Sequence, residues 1–320
     1  KLLSHFPGVP AFFFVSGFLI YASYKNAPGI RYFQNRFLRL FPGLLLVTCG
    51  GLALALIARG TDDLLAHPGT YLLWFASQIS LGQAYNPGLF RDIGVGVING
   101  SLWTLTVEIL FYASVPIIVW LERRISQTVL ALTVMSFAIY AVGPVLLNQN
   151  VLIGKTAYEV LAVTPVPWGW MFGLGILAEK HYGLLARCLK WMPLAIPPLI
   201  LMMMFGHGEL FGSQGNRLGA AYFMAYSAII LWLAFATPVL RLNTDLSYGV
   251  YIWHMPIINL LLVLGLDNGW GIAVGATFLV AAVSWFLIER PALRRKKNSL
   301  QVVPVLASEV VPTLERPQSG

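Results

Sequence analysis

Apolar residues in this chain come in long, nearly uninterrupted runs, with charged and turn-forming residues confined to the intervals between them. Nine runs approach the length that crosses a bilayer as helix, which takes roughly 17–25 residues. They cover about 8–24, 42–58, 102–121, 127–147, 164–179, 190–206, 219–238, 247–265 and 270–288. The pattern predicts an all-α fold, a polytopic transmembrane helix bundle. Membrane β-strands would be shorter and would alternate in polarity. The second run opens at Pro42, a residue suited to a first helical turn. The stretch 70–83 is apolar but short, and reads as interfacial or re-entrant.

Charge placement orients the bundle. With nine spans, Lys25, Arg31, Arg36, Arg39, Arg123, Arg124, Lys180, Arg187, Lys190, Arg241 and the Arg294–Lys297 cluster all fall on one side. Basic residues mark the cytoplasmic side, so the C-terminus is expected there and Lys1 outside. The loops 59–101, 148–163 and 207–218 then face away from the cytoplasm. An outward-facing start implies an earlier span if the native N-terminus is cytoplasmic. No second domain or repeat is apparent. Residues 1–297 read as one transmembrane domain, and 298–320, rich in Pro, Ser and Glu, as a disordered cytoplasmic tail.

Composition agrees with this reading. Hydrophobic residues make up 58% of the chain and charged residues 11%, with a mean hydropathy of +0.73. Soluble domains carry about 25% charged residues, so much of this surface must face lipid. The net charge of +8 sits in short loops, where it serves orientation; no nucleic-acid partner is implied. Cys49 and Cys188 form no metal-like spacing and are expected to be buried thiols. Asp62 and Asp63 have no metal-like companions, and no metal is expected. Trp74, Trp120, Trp191 and Trp270, near span ends, look like interface-belt residues.

The informative residues are polar groups set among apolar ones, which usually face a bundle interior or an aqueous cavity. Glu108 lies a turn or two inside the third span. It either serves a catalytic base or makes a structural hydrogen bond between helices. His254 lies in the eighth span with Pro256 close behind, whose ring leaves the Ile252 carbonyl without its usual donor. A neutral imidazole there suits proton transfer or substrate contact; the alternative is a satisfied interior histidine. Arg36 and Arg39, three apart, share a face and precede the expected helix start. They are placed either to hold phosphates or simply to anchor the span. Gly17, beside Ser16, permits close helix approach.

Five segments in order resemble the acyltransferase 3 family of membrane-bound O-acyltransferases: GVPAFFFVSGFLI at 8–20, RFLRLFPGLLL at 36–46, SLWTLTVEILFY at 101–112, SYGVYIWHMPI at 247–257 and IERPALR at 288–294. The resemblance implies a ten-helix bundle. It implies transfer of an acyl group, often acetyl, from cytoplasmic acyl-CoA to a hydroxyl of an extracytoplasmic glycan or glycolipid, in a bacterial inner membrane. It puts donor contacts on Arg36 and Arg39 and the catalytic pair on Glu108 and His254. It also implies that Ser101, Trp103 and Tyr251 touch substrate. Partners would be acyl-CoA, a surface polysaccharide or lipid-linked saccharide, and membrane lipid; no resident cofactor is implied. The family's proposed catalytic histidine lies on a first helix ahead of the FF-x-x-SGF segment, and nothing here carries it. His5 is too close to that stretch to stand in. Either that helix precedes Lys1, or the chain is an inactive member. A transporter or flippase of a saccharide is the alternative from a different class, since it also buries ionisable groups among many spans.

Overall fold

The structure is a computed structural model that describes residues 6–83, 85–148, 160–237, 244–266 and 269–295. The expected tail after 298, His5, Arg241, Lys296 and Lys297 lie outside these described residues. The described chain is helical apart from loops and a two-residue hairpin, Ser213–Gln214 with Arg217–Leu218. The principal helices are α1 (Gly8–Asn26), α2 (Ile30–Arg59), α3 (Thr61–Ala66), α4 (Pro68–Leu81), α5 (Trp103–Glu122), α6 (Thr128–Asn148), α7 (Pro165–Lys180), α8 (Tyr182–Cys188), α9 (Ile196–Phe205), α10 (Ala220–Phe235), α11 (Ser247–Val263), α12 (Trp270–Ser284) and α13 (Arg290–Arg294).

Among the described residues five helical stretches are long and apolar enough to cross a membrane: Ile30–Arg59, Gly100–Glu122, Val160–Lys180, Tyr182–Phe205 and Trp270–Arg294. Shorter apolar helices lie at Thr128–Gly143, Ala220–Phe235 and Ser247–Val263. The chain is an integral membrane protein of the all-α class. Its exposed surface is correspondingly greasy: Leu72, Leu201, Trp270 and Leu287 are all more than half exposed. Apolar side chains meet lipid there without cost.

Tertiary structure changes several expected boundaries. Pro42 does not open the second span; it lies inside α2, which begins twelve residues earlier at Ile30. Proline removes one donor and crowds one carbonyl. The upstream turns compensate by burying Tyr32, Asn35 and Leu40. Arg36 and Arg39 therefore stand within the helix rather than before it, and the expected helix-start argument for them does not apply. The sixth run is broken: Leu189–Ala195 is a 3₁₀ segment before α9, where Pro193, Pro197 and Pro198 interrupt α-helical bonding. The ninth run ends in a π-helical turn, Trp285–Glu289, in which the Ser284 hydroxyl donates to buried Glu289 at 2.7 Å.

The stretch at 70–83 forms α4, whose 14 residues span about 21 Å at 1.5 Å per residue. Trp74 on it is not an interface residue. It is 2% exposed and meets Phe90 edge-on at 5.4 Å, in a small core with Tyr71, Ile93 and Ile98. Cys49 and Cys188 are exposed rather than buried; on a lipid-facing helix an apolar thiol needs no protein cover.

The main core forms around α1, whose most extensive partner is α7. The approach is set by two glycines. A Cβ on Gly17 would overlap the backbone carbonyl of Phe172, and one on Gly175 that of Phe14. The two helices thus touch backbone to backbone, as small residues allow in membranes. Phe13, Phe14 and Phe18 then pack against Phe111, Phe223 and Phe235 on α5 and α10. The opposite face of α1 is left to line a cavity.

Candidate active site

A cavity of about 450 Å³ lies among α1, α2, α5 and α11. Its apolar wall comes mainly from Val9, Phe12, Val15 and Leu19 of α1, with Leu40 and Leu105. Its polar wall comes from Arg36 and Arg39 of α2, Glu108 and Tyr112 of α5, and Ser247, Tyr248 and Tyr251 of α11. Arg36 and Arg39 sit three apart, Glu108 and Tyr112 four apart, and Tyr251 three and four residues after Tyr248 and Ser247, so each helix turns one polar stripe to the same space. Residues separated by more than 200 positions in sequence meet there.

Glu108 is 5% exposed. One carboxylate oxygen, Oε1, accepts a short hydrogen bond from the Tyr112 hydroxyl. The other, Oε2, is buried without a partner. The Arg36 guanidinium stands over the Tyr112 ring at 5.3 Å and the Tyr32 ring at 5.8 Å, and its Nε is also unpartnered. Tyr32 fixes this arrangement by donating to the Tyr112 carbonyl at 3.0 Å. An acid and a guanidinium thus flank one tyrosine, and both retain unused hydrogen-bonding capacity.

Arg39 differs. Its Nη2 donates to Asp245 Oδ2 at 2.7 Å, while Asp245 Oδ1 accepts from the Ser247 amide at 3.2 Å and hydroxyl at 2.5 Å. Asp245 lies in the loop before α11. Burial pushes its carboxyl up, but the bonds from Ser247 and the Arg39 cation outweigh that and hold it below the usual carboxylate range. Tyr248 adds a second tie from α11 to α2, donating to the Leu40 carbonyl at 2.8 Å.

Of the seven residues singled out from sequence, four line the cavity: Arg36, Arg39, Glu108 and Tyr251. Ser101, Trp103 and His254 lie behind its wall. Ser101 is buried, its hydroxyl donated to Asn99 Oδ1 at 2.6 Å. Trp103 packs against Trp168 at 5.4 Å and Phe13 at 6.4 Å. His254 is half-buried, and its Nδ1 lies 2.6 Å from the Tyr251 carbonyl. A carbonyl can only accept, so Nδ1 is the donor in this contact. The Ile252 carbonyl, expected to be free because of Pro256, is taken by the Asn99 side-chain amide at 2.9 Å. Among the described residues no group of three or more His, Cys, Asp or Glu side chains is placed to hold a metal.

Sequence reasoning passed over Tyr112, Tyr248, Asp245, Asn99 and Thr104. Tyr112 had a local signal, standing four residues after Glu108 on one helix face. Asp245 had none, since its partner lies 206 positions away.

An interior acid and arginines in a bundle of apolar helices define a membrane protein with a polar reaction-sized cavity rather than a passive anchor. The chain belongs to the acyltransferase domain family, whose model matches residues 2–289. It is 31% identical over 317 residues to nodulation protein 10 of Rhizobium leguminosarum bv. viciae, covering 93% of this chain and 84% of that protein. It is 25% identical over 301 residues to an O-acetyl transferase of Shigella phage Sf6, covering 91% and 86% respectively. No solved structure matches it. The chain is accordingly an enzyme, a transferase of acyl groups other than amino-acyl groups.

Proposed function

We propose that the protein moves an acyl group, acetyl in the first instance, from cytoplasmic acyl-CoA to a hydroxyl of an extracytoplasmic glycan or glycolipid. The observation that carries this reading is the unpartnered Glu108 Oε2 in the same cavity as Arg36 and Arg39. A buried carboxylate oxygen without a partner is costly, and an incoming hydroxyl would satisfy it. The O-acetyl transferase relative supports acetyl as the group transferred. The clustering of basic residues on one side supports a cytoplasmic C-terminus and a bacterial inner-membrane location.

The chemistry follows from the residues present. The acceptor oxygen attacks the thioester carbonyl carbon, the C–S bond breaks, and the hydroxyl proton passes to a base while CoA leaves as thiolate or thiol. Glu108 accepts or orients that proton through Oε2, while the Tyr112 hydroxyl, donating to Oε1, holds the carboxylate in place. Arg36, whose Nε is unpartnered, is the contact for a donor phosphate; Arg39 is tied to Asp245 through Nη2 and has its remaining N–H groups to offer. His254 presents Nε2 from behind Tyr251 and contributes to proton transfer through the Tyr251 side of the wall. Ser101 and Trp103 shape that wall from the second layer.

The test uses membranes bearing the full-length protein, labelled acetyl-CoA and the surface glycan. Label on glycan hydroxyls, lost in a Glu108→Gln variant that still reaches the membrane, is the expected result. Unimpaired transfer by that variant overturns the assignment of the cavity.

A further inference from the structure

One buried side-chain amide holds both ends of Tyr251. At the backbone end, Asn99 Nδ2 donates to the carbonyl of Ile252, the residue next to Tyr251, at 2.9 Å. That carbonyl is in need of a donor, because Pro256 at the position four residues on has no N–H to give it. At the phenol end, Asn99 Oδ1 accepts from the Ser101 hydroxyl at 2.6 Å and amide at 3.3 Å. The Ser101 carbonyl lies 2.9 Å from the Tyr251 hydroxyl and 3.2 Å from Thr104 Oγ1, and the two hydroxyls also meet each other; with one proton each, one donates to the carbonyl and the other donates to that hydroxyl. Asn99 is 5% exposed and Thr104 fully buried. Neither lines the cavity, whereas Tyr251 does.

We propose that Asn99 is a positioning residue for acyl transfer: it registers the turn of α11 before Pro256 against the start of α5 and thereby sets the Tyr251 side chain in the cavity wall. The arrangement explains why the proline is tolerated. The carbonyl it frees is not left unsatisfied but is used as the anchor point. The same turn carries His254, whose Nδ1 bonds the Tyr251 carbonyl, so the amide governs the placement of both side chains. The inference rests on the cavity reading above.

The test is a double-mutant cycle on the full chain in native membranes, with acetyl-CoA as donor. Asn99→Ala is expected to lower kcat about tenfold or more, since sub-ångström to 1 Å misplacement of reacting groups costs up to about 100-fold. KM for acetyl-CoA should stay within about twofold, because the arginines are untouched. Tyr251→Phe should also lower kcat, and the double variant should be no worse than the worse single one. Multiplicative losses, or an unchanged kcat for Asn99→Ala, overturn the proposal. Where Asn99→Ala does not fold, Asn99→Asp keeps an acceptor for Ser101 but replaces the donor to Ile252 with an oxygen that faces its carbonyl, and a kcat loss at least as large is expected. Failure of both variants to accumulate as folded protein also overturns it, since Asn99 would then serve folding alone. If Tyr251→Phe itself transfers normally, it is the cavity reading that fails.

Discussion

The backbone contact between α1 and α7 gives the sharpest test of how the fold builds the cavity. In a Gly17→Ala variant the new methyl group would sit inside the Phe172 carbonyl oxygen's contact radius. The obstacle is backbone in the middle of a helix and has no rotamer to escape into. Carbon–oxygen contacts of this kind run at about 3.3–3.6 Å, so the helices must part by on the order of 1 Å. A gap of that size forfeits a quarter to a half of each dispersion contact, worth about 0.1–0.2 kcal/mol apiece. Over roughly 40 atom pairs along the shared face the loss is about 2 kcal/mol, within the usual range for overpacking a core. At roughly 2–4 °C per kcal/mol this corresponds to a fall of about 5 °C in the thermal midpoint of the detergent-solubilised protein.

Because the other face of α1 supplies Val9, Phe12, Val15 and Leu19 to the cavity, acyl transfer should fall with it. Gly175→Ala, which meets the Phe14 carbonyl, should behave alike. Gly275→Ala is the control. Its Cβ meets nothing within 4 Å, so it should leave the midpoint unchanged or slightly raised. A Gly17→Ala protein with the wild-type midpoint and wild-type turnover would refute the claim that backbone contact sets the position of α1.

Other expectations are more local. Glu108→Gln should lower turnover by about 10²–10⁴-fold, the usual contribution of a positioned acid or base, with membrane insertion intact by protease protection. Arg36→Ala should raise KM for acetyl-CoA by about tenfold or more, as loss of a charge-assisted bond worth about 1.5–3 kcal/mol implies. Arg39→Ala should raise it less, because Arg39 is already committed to Asp245. Helix α3 carries a tether of its own, Asp63, which binds Arg59 at 2.9 Å and accepts from Tyr71 at 2.8 Å. The hydrogen bond from Arg59, with help from Tyr71, lowers its carboxyl from 3.8 to about 2. A depressed carboxyl stabilises above its unfolded value, so the tether should be intact above pH 3.8 and lost as pH falls through about 2. Hydrogen exchange across residues 61–92 should be flat from pH 5 to 8 once corrected for intrinsic rate, and Asp63→Asn should loosen the segment at neutral pH.

Much of the fold was readable because lipid imposes a simple rule: a backbone without water must bond to itself, and long apolar runs do so as helices. Seven of the predicted runs correspond to helices whose ends fall within a few residues of the expected ones, while Leu189–Ala195 broke the sixth and Pro42 misled the start of α2. Proline is a strong local signal, yet the packing of Tyr32 and Leu40 outweighed it. The polar residues were visible for the same reason as the helices. Glu108, Arg36 and Arg39 are expensive where they stand, and expense in an apolar context can be seen without coordinates.

What the amino-acid order determined by itself was the class of protein, the runs that become helices and the short list of ionisable groups that need an interior environment. Tertiary structure alone decided which of them meet. It put Arg36, Arg39, Glu108 and Tyr251 around one cavity and left Ser101, Trp103 and His254 behind the wall. It gave Arg39 to Asp245 and left the Arg36 Nε unpartnered. It also supplied Asn99 to the carbonyl that Pro256 had freed. Hydropathy is additive along a chain and so can be read locally. Hydrogen bonds need both partners, and here those partners lie 150 to 206 positions apart, where only the packed helices bring them together.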